Sequence, residues 1–274
     1  MQTGYYAAAG GMVAQFNRLD TIANNLANVN TAGFKKESLI TGDFARLYKQ
    51  AREELPVQNN TSEAASYINR AMTKVPHVVD AYTDHSLGSL QKTDNTLDVA
   101  LSREGLFFAV ETPDGIRLTR DGSFSLNEDG VLVTKHGYTV LSSDYQNSDA
   151  EIQFNTEDSL IELDKNGQFY NSVPGSAQLI QGSKLLVVQP ENINYLKKEG
   201  DGLYIPDSAD ALENIAETGA VLQGFIEKSN VNPMNEMIAM IEANRLVGMY
   251  QKAMDTQMND MNRDAIEKLA STRQ

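Results

Sequence analysis

Few residues in this chain could do chemistry. Three histidines, His77, His85 and His136, are the side chains best suited to proton transfer near neutral pH. None stands in an HExxH arrangement, and His77 and His85 are eight residues apart, a spacing typical of isolated surface histidines rather than of metal ligands. His136-Gly137 reads as a turn. Asp164-Lys165-Asn166-Gly167 resembles the start of a calcium loop, but the twelfth loop position, where a bidentate Glu is needed, is Gly175. A hairpin turn accounts for it better. Gly10-Gly11 and Gly200-Asp201-Gly202 lack the flanking residues of a phosphate loop, and no GxSxG elbow is present. The carboxylate pairs Glu53-Glu54 and Glu128-Asp129 fall in expected solvated turns. With 0 cysteines, thiolate metal sites, disulfides and cysteine nucleophiles are excluded. The residues therefore assign no catalytic group, no cofactor site and no metal site, and the expectation is a protein that is not an enzyme.

The elements that would position any site have a clear layout. Both ends read as helix and the middle as β. The first stretch, expected from about Thr3 to Val29, carries Met12, Phe16, Leu19, Ala23, Leu26 and Val29 at three- and four-residue spacing. The last carries Met240, Ala243, Val247, Tyr250, Met254, Met258, Met261, Ala265 and Leu269 at similar spacing. Asn232 is expected as its N-cap with Pro233 at the first helical position. Neither apolar stripe can be buried by its own helix. Asn24, Asn25 and Asn28 are weak helix formers beside the first stripe, fit either for fraying or for bonding a neighbouring subunit. Gly33 is a candidate C-cap.

From Leu87 to Tyr204, short β-rich runs alternate with turn signals at Asp114-Gly115, Asp121-Gly122, Asp129-Gly130, His136-Gly137 and Asn166-Gly167. That pattern predicts an antiparallel meander of hairpins, with Gly122 and Gly130 at positive φ, where Asn would be tolerated better than Val. Phe44 to Leu55 and Tyr67 to Met72 could form short helical pieces, broken at Pro56 and Asn59-Asn60. The fold class expected is α+β: terminal helices pairing as a coiled coil, and a central all-β antiparallel domain between them in the sequence. Residues 1–34 with 227–274 form the helical domain, 35–86 an extended connecting arm, and 87–226 the β-rich domain.

Charge narrows the function further. The net charge of -14 argues against a nucleic-acid partner and against docking on anionic lipid. No apolar run reaches the roughly 20 residues of a membrane-spanning helix. The N-terminal residues lack the basic and apolar regions of a cleaved secretory signal.

Three blocks carry a resemblance. Leu19 to Lys36 (LDTIANNLANVNTAGFKK) is similar to the N-terminal signature of flagellar basal-body rod and hook proteins. Arg117 to Leu141 resembles the family's central β segment, and Leu222 to Asp255 its C-terminal signature. The signature residues are Asn24, Asn25, Leu26, Asn28, Gly33, Phe34, Ser229, Asn230 and Val231. The resemblance implies a structural axial subunit of the basal-body rod, with both terminal helices in an inner tube and the β domain outside. The implied assembly seam is Met12, Phe16, Leu19, Leu26, Val29, Met240, Val247, Tyr250, Met254, Met258 and Met261. Implied partners are further copies of the chain, other axial rod proteins, ring proteins around the rod and the flagellar export apparatus, which would deliver the chain to the periplasm without a cleaved signal. Ser229 to Pro233 followed by EMIAMIEANR resembles the proximal rod type; the distal type is the alternative. A carbohydrate-binding or cell-wall β module is the rival from another class, weakened by 0 tryptophans for an aromatic platform.

Overall fold

Asn232 caps the second helix as its sequence requires. Its Oδ1 accepts hydrogen bonds from the backbone N–H groups of Met234 (3.0 Å) and Asn235 (3.3 Å), and Pro233 takes the first helical position. In this computed structural model, which describes residues 2–43, 76–145, 151–154, 160–172, 179–206 and 219–271, that helix (α2) runs Pro233–Ser271. The first helix (α1) spans Gln2–Ala27, two residues short of the expected end, because Asn28 starts a turn closed by the Thr31 N–H on its carbonyl (3.2 Å). The short helical pieces expected at Phe44 to Leu55 and Tyr67 to Met72, with the breaks at Pro56 and Asn59-Asn60, lie outside the described residues.

The chain divides into two units, Met1–Ala27 with Glu37–Tyr82 and Asn232–Gln274, and Asn28–Lys36 with Thr83–Val231. In the first unit α1 and α2 pack along each other. Strands Glu37–Asp43 and Pro76–Thr83, in the segment expected as an extended arm, pair as a two-stranded sheet. Their β-branched residues (Ile40, Thr41, Val78, Val79) suit that geometry.

The second unit is β-rich, and every pairing recorded between its strands is antiparallel. Strand Phe107–Thr112 sits at the centre of its largest sheet. Phe107, Phe108, Ala109 and Val110 are all buried, as an unbroken apolar run should be when both faces of a strand are covered. Phe108 and Val110 join one core with Phe124, Leu132, Val140 and Ile152. Phe107 and Ala109 join the other with Leu118, Leu186 and Tyr204.

A simple meander is not what forms. Phe107–Thr112 pairs with Gly115–Thr119 on one side and with Thr139–Val140 on the other. Phe124–Leu126, Leu132–Thr134 and Thr139–Val140 then run back toward it. Asp121-Gly122 is therefore a crossover between non-adjacent strands, not a hairpin, and Gly122 does not have positive φ. It is glycine for another reason: a Cβ there would collide with the backbone carbonyl oxygen of Val99. Gly130 does adopt positive φ (78°), but its Cβ would also strike a backbone oxygen, that of Phe154. The expected advantage of Asn over Val is thus lost at both sites, since both carry a Cβ. Gly33 is likewise no helix cap. With φ of 67° it lies against the Arg120–Asp121 backbone, and its N–H donates to the Glu227 carbonyl (2.8 Å).

The β-rich unit ends in two short strands. Val221–Gln223 pairs with Val99–Leu101, and Phe225–Glu227 pairs with Leu90–Lys92, broken at Gly224 (φ 74°). This return brings residues 227–231 beside 84–90 and sets up the charged cluster described below.

Candidate assembly surface and charged neck

The helix pair is antiparallel. The side of Gly4 faces the Gln257 amide, Gly11 faces the Tyr250 ring, and Asn25 Nδ2 donates to Glu236 Oε2 (3.4 Å). As one number rises the other falls. Asn25 is buried and also exchanges two hydrogen bonds with the backbone of Glu37: it accepts from the N–H (3.0 Å) and donates to the carbonyl (2.8 Å). The amide thus ties α1 to α2 and to the start of a strand within one unit. Such satisfaction is what lets a poor helix former sit there.

Of the expected seam residues on α2, Val247 is buried, and Met240, Tyr250, Met254 and Met261 are half-buried on the same helix face. Met258 is exposed. On α1, Met12, Leu19 and Leu26 are half-buried and Phe16 is 45% exposed; Val29 is half-buried in the turn after the helix. The residues of α1 that are buried are smaller ones, Ala8, Gly11 and Ala14, with Ile22 and Asn25. A search for bulky apolar stripes does not find them. Their signal in the sequence is the recurrence of small residues at Gly4, Ala7, Gly11 and Ala14. Outside this contact the pair exposes Tyr6 and Val13 on α1, and Met234, Met237, Ile238 and Ile241 on α2.

The signature residues of the second unit build a neck of three chain passes. Asn230 accepts from the Lys36 N–H (2.8 Å) and donates to the Asp84 carbonyl (2.8 Å) and Ser86 Oγ (3.1 Å). Ser229 Oγ accepts from the Val231 N–H (3.3 Å), and both residues are buried. The Phe34 ring lies under the Lys198 ammonium, 3.8 Å from its centroid. Asn28 Oδ1 accepts from Thr31 Oγ1 (3.1 Å), and Asn24 is exposed on α1.

At the centre is a charged group that sequence reasoning missed. Glu227 accepts from Lys35 Nζ (2.6 Å), Arg120 Nε (2.7 Å) and the Gly88 N–H (2.9 Å). All three charged side chains are 1% exposed. Lys35 also donates to the Ser86 carbonyl (2.6 Å), and Arg120 donates to the carbonyls of Leu101 (3.1 Å), Arg103 (2.9 Å) and Leu106. Burial holds the Lys35 ammonium below the usual lysine pKa, against the opposing pull of Glu227. In the sequence the three residues stand in GFKK, LTRDG and GFIEK, each directly beside a second charged residue, so nothing local singles them out.

His85 packs between Phe107 (5.8 Å between ring centroids) and Tyr204 (5.5 Å). Burial, and then the positive charge of Lys35, lowers its pKa from 6.5 to about 4; Asp84 opposes, while Arg120 and Lys198 add to the lowering. The folded value lies below the unfolded one, so the neutral ring supports the fold above pH 6.5. That support drains as pH falls from 6.5 toward 4. We expect a stability loss of at most ~1.4 kcal/mol per pH unit across that window from this one proton, reduced by the solvent that reaches the half-buried ring. The His85→Gln variant should lose that slope in urea titrations at pH 7, 6 and 5; an unchanged slope would disprove the assignment. His136 is exposed in its turn, stacked on Tyr138, and His77 falls in strand Pro76–Thr83.

Among the described residues no group of three His, Asp or Glu could hold a metal ion, and no described helix is long and apolar enough to cross a membrane. Glu227, 1% exposed, is occupied by two cations and is not free to act as a base. The arrangement is one of packing and locking.

Residues 6–35 match the family described as flagella basal body rod protein. Residues 104–222 match the flagellar hook protein FlgE/F/G D1 domain, and residues 222–267 the flagellar basal body rod FlgEFG protein C-terminal family. The flagellar basal-body rod protein FlgG of Buchnera aphidicola subsp. Baizongia pistaciae is 32% identical over 257 residues, covering 92% of this chain and 94% of the relative. FlgG of Bacillus subtilis is 31% identical over 251 residues (89% and 91%). The rod protein FlgF of Caulobacter vibrioides is 28% identical over 269 residues, with 98% of each chain covered.

Proposed function

The chain belongs to the flagellar basal-body rod protein family, whose members are structural subunits and not enzymes, and from that premise we propose that it is a proximal rod subunit assembling into a helical tube. In this reading the paired terminal helices, 1–34 with 227–274, form the inner tube as a coiled coil. Residues 87–226 form an outer domain, joined through 35–86. The tube transmits torque from motor to hook and encloses part of the export channel. The subunit leaves the cell through the flagellar export apparatus without a cleaved signal and lodges in the periplasm. Its neighbours are copies of itself, other axial rod proteins and the rings around the rod.

The observation that carries this reading is the apolar surface left over after α1 and α2 have packed. Phe16 is 45% exposed and Ile241 60% exposed. A heterologous contact that does not close into a ring propagates as a tube, and burial of such side chains supplies roughly 25 cal/mol per Å². Leu26 and Met254, half-buried in the single chain, would be fully enclosed on assembly.

Phe16→Asp tests it. In the free chain the aspartate is hydrated, so folding and export should persist. In the tube it would be a buried unpaired charge, costly enough to block association. We expect a non-motile strain with normal protein level and no rod density for this subunit in electron micrographs of isolated basal bodies. Normal swimming with normal protein level would refute the reading.

A further inference from the structure

We propose that the register of the antiparallel helix pair is set by two glycine sockets on α1, Gly4 and Gly11, which receive Gln257 and Tyr250 of α2. A Cβ at Gly11 would come within 2.6 Å of the Tyr250 ring, and one at Gly4 would meet the Gln257 amide even more closely. The sockets are seven residues apart, and so are their occupants. Asn25, fourteen residues beyond Gly11, bonds Glu236, fourteen before Tyr250. In all three pairs the residue numbers sum to 261, so one register satisfies the whole length. The same sum places Ala14 opposite Val247, and both are buried.

Apolar side chains alone would not choose this register. α2 offers Met240, Val247, Met254 and Met261 at seven-residue intervals. A slide by one heptad would still meet small residues with methionines. The glycines and the polar occupants break that degeneracy. A slide by seven in one direction puts Gly11 against Gln257 and Arg18 against Tyr250, a large side chain where the ring needs a hole. The slide in the other direction takes Gly4 to Tyr250 and Gly11 to Ala243, and leaves the Asn25 amide without Glu236. Gln257 Oε1 is buried with no hydrogen-bond partner among the described residues. A polar group at a helix-pair core position lowers stability and enforces register. Register in turn decides which residues each helix presents to its neighbours. This inference concerns one chain, so it can fail while the rod reading stands.

The chain has 0 cysteines, so engineered disulfides report register cleanly. In the purified full-length protein, Ala14→Cys with Val247→Cys should oxidise to an intramolecular disulfide, and Ala7→Cys with Val247→Cys, one heptad out of register, should not. Adding Gly4→Leu and Gly11→Leu should abolish the first disulfide. Exchanging socket and occupant, Gly11→Tyr with Tyr250→Gly, should keep it. The inference is overturned if the first pair fails to form, if both pairs form equally well, if the leucine variant still forms it, or if the exchanged variant loses it. The disulfides are read on the purified chain, so the inference fails or stands independently of the Phe16→Asp motility test of the rod reading.

Discussion

Glu227→Ala is expected to destabilise the β-rich unit by about 3–5 kcal/mol, the range for stripping one partner from a buried ion pair. The carboxylate bonds two cations that are each 1% exposed. Without it, Lys35 and Arg120 carry charge in a site that water does not reach, and the Gly88 N–H loses its acceptor. The loss is a large share of the roughly 5–15 kcal/mol that holds a typical domain folded. Glu227→Gln should be nearly as harmful, because an amide keeps the shape and not the charge. Removing the exposed member of a pair at the surface sets the baseline. Lys135 and Asp121 meet at 2.7 Å, but the lysine is 44% exposed, and Lys135→Ala should cost no more than about 1 kcal/mol. Urea denaturation followed by circular dichroism compares the variants. A Glu227→Ala loss as small as that of Lys135→Ala would mean that the neck is not held by its charges.

Gly122→Ala is expected to be about as damaging as Gly122→Val, with a cost of about 3 kcal/mol and a melting temperature lower by on the order of 10 °C. A missing Cβ, not a special backbone angle, is what this position needs. The Val99 N–H donates to the Gly122 carbonyl (2.9 Å), and the Val99 carbonyl oxygen fills the space where a side chain would start. Phe108 crowds the same spot at 3.2 Å. Backbone on one side and a buried ring on the other cannot both retreat. Gly137 provides the contrast: its φ is 84°, and no neighbouring atom lies within 4 Å of the point where a Cβ would stand. There Ala should cost about 1–2 kcal/mol for the left-handed conformation, and Asn less. Thermal melts of Gly122→Ala, Gly122→Asn, Gly137→Ala and Gly137→Asn distinguish the two mechanisms. If Asn rescued position 122 relative to Ala, the close approach of Val99 would be refuted.

These two results separate what is local from what is not. The two helices, the Asn232 cap, strands such as Phe124–Leu126 and Leu160–Leu163, and the turns at Gly115, Gly137 and Gly167 follow from residues adjacent in the chain. Periodicity, capping and positive φ are properties of a few neighbouring residues, so one sequence suffices to read them. The three signature blocks are legible for the same reason, and they identify the family. The sheet order is not legible: a turn signal says that the chain reverses, not which strand it lies beside next. Hence Asp121-Gly122 reads as a hairpin and is a crossover. Nor can the chain alone disclose that Lys35, Arg120 and Glu227 share one buried point, since 85 residues separate the first two and 107 the last two. Bulky side chains such as Phe16 do not mark the face of α1 that meets α2, because bulk marks an intramolecular contact only when the neighbour is distant. Where Tyr250 and Gln257 press close, the buried face must be made of glycine and alanine, and only the partner helix decides that.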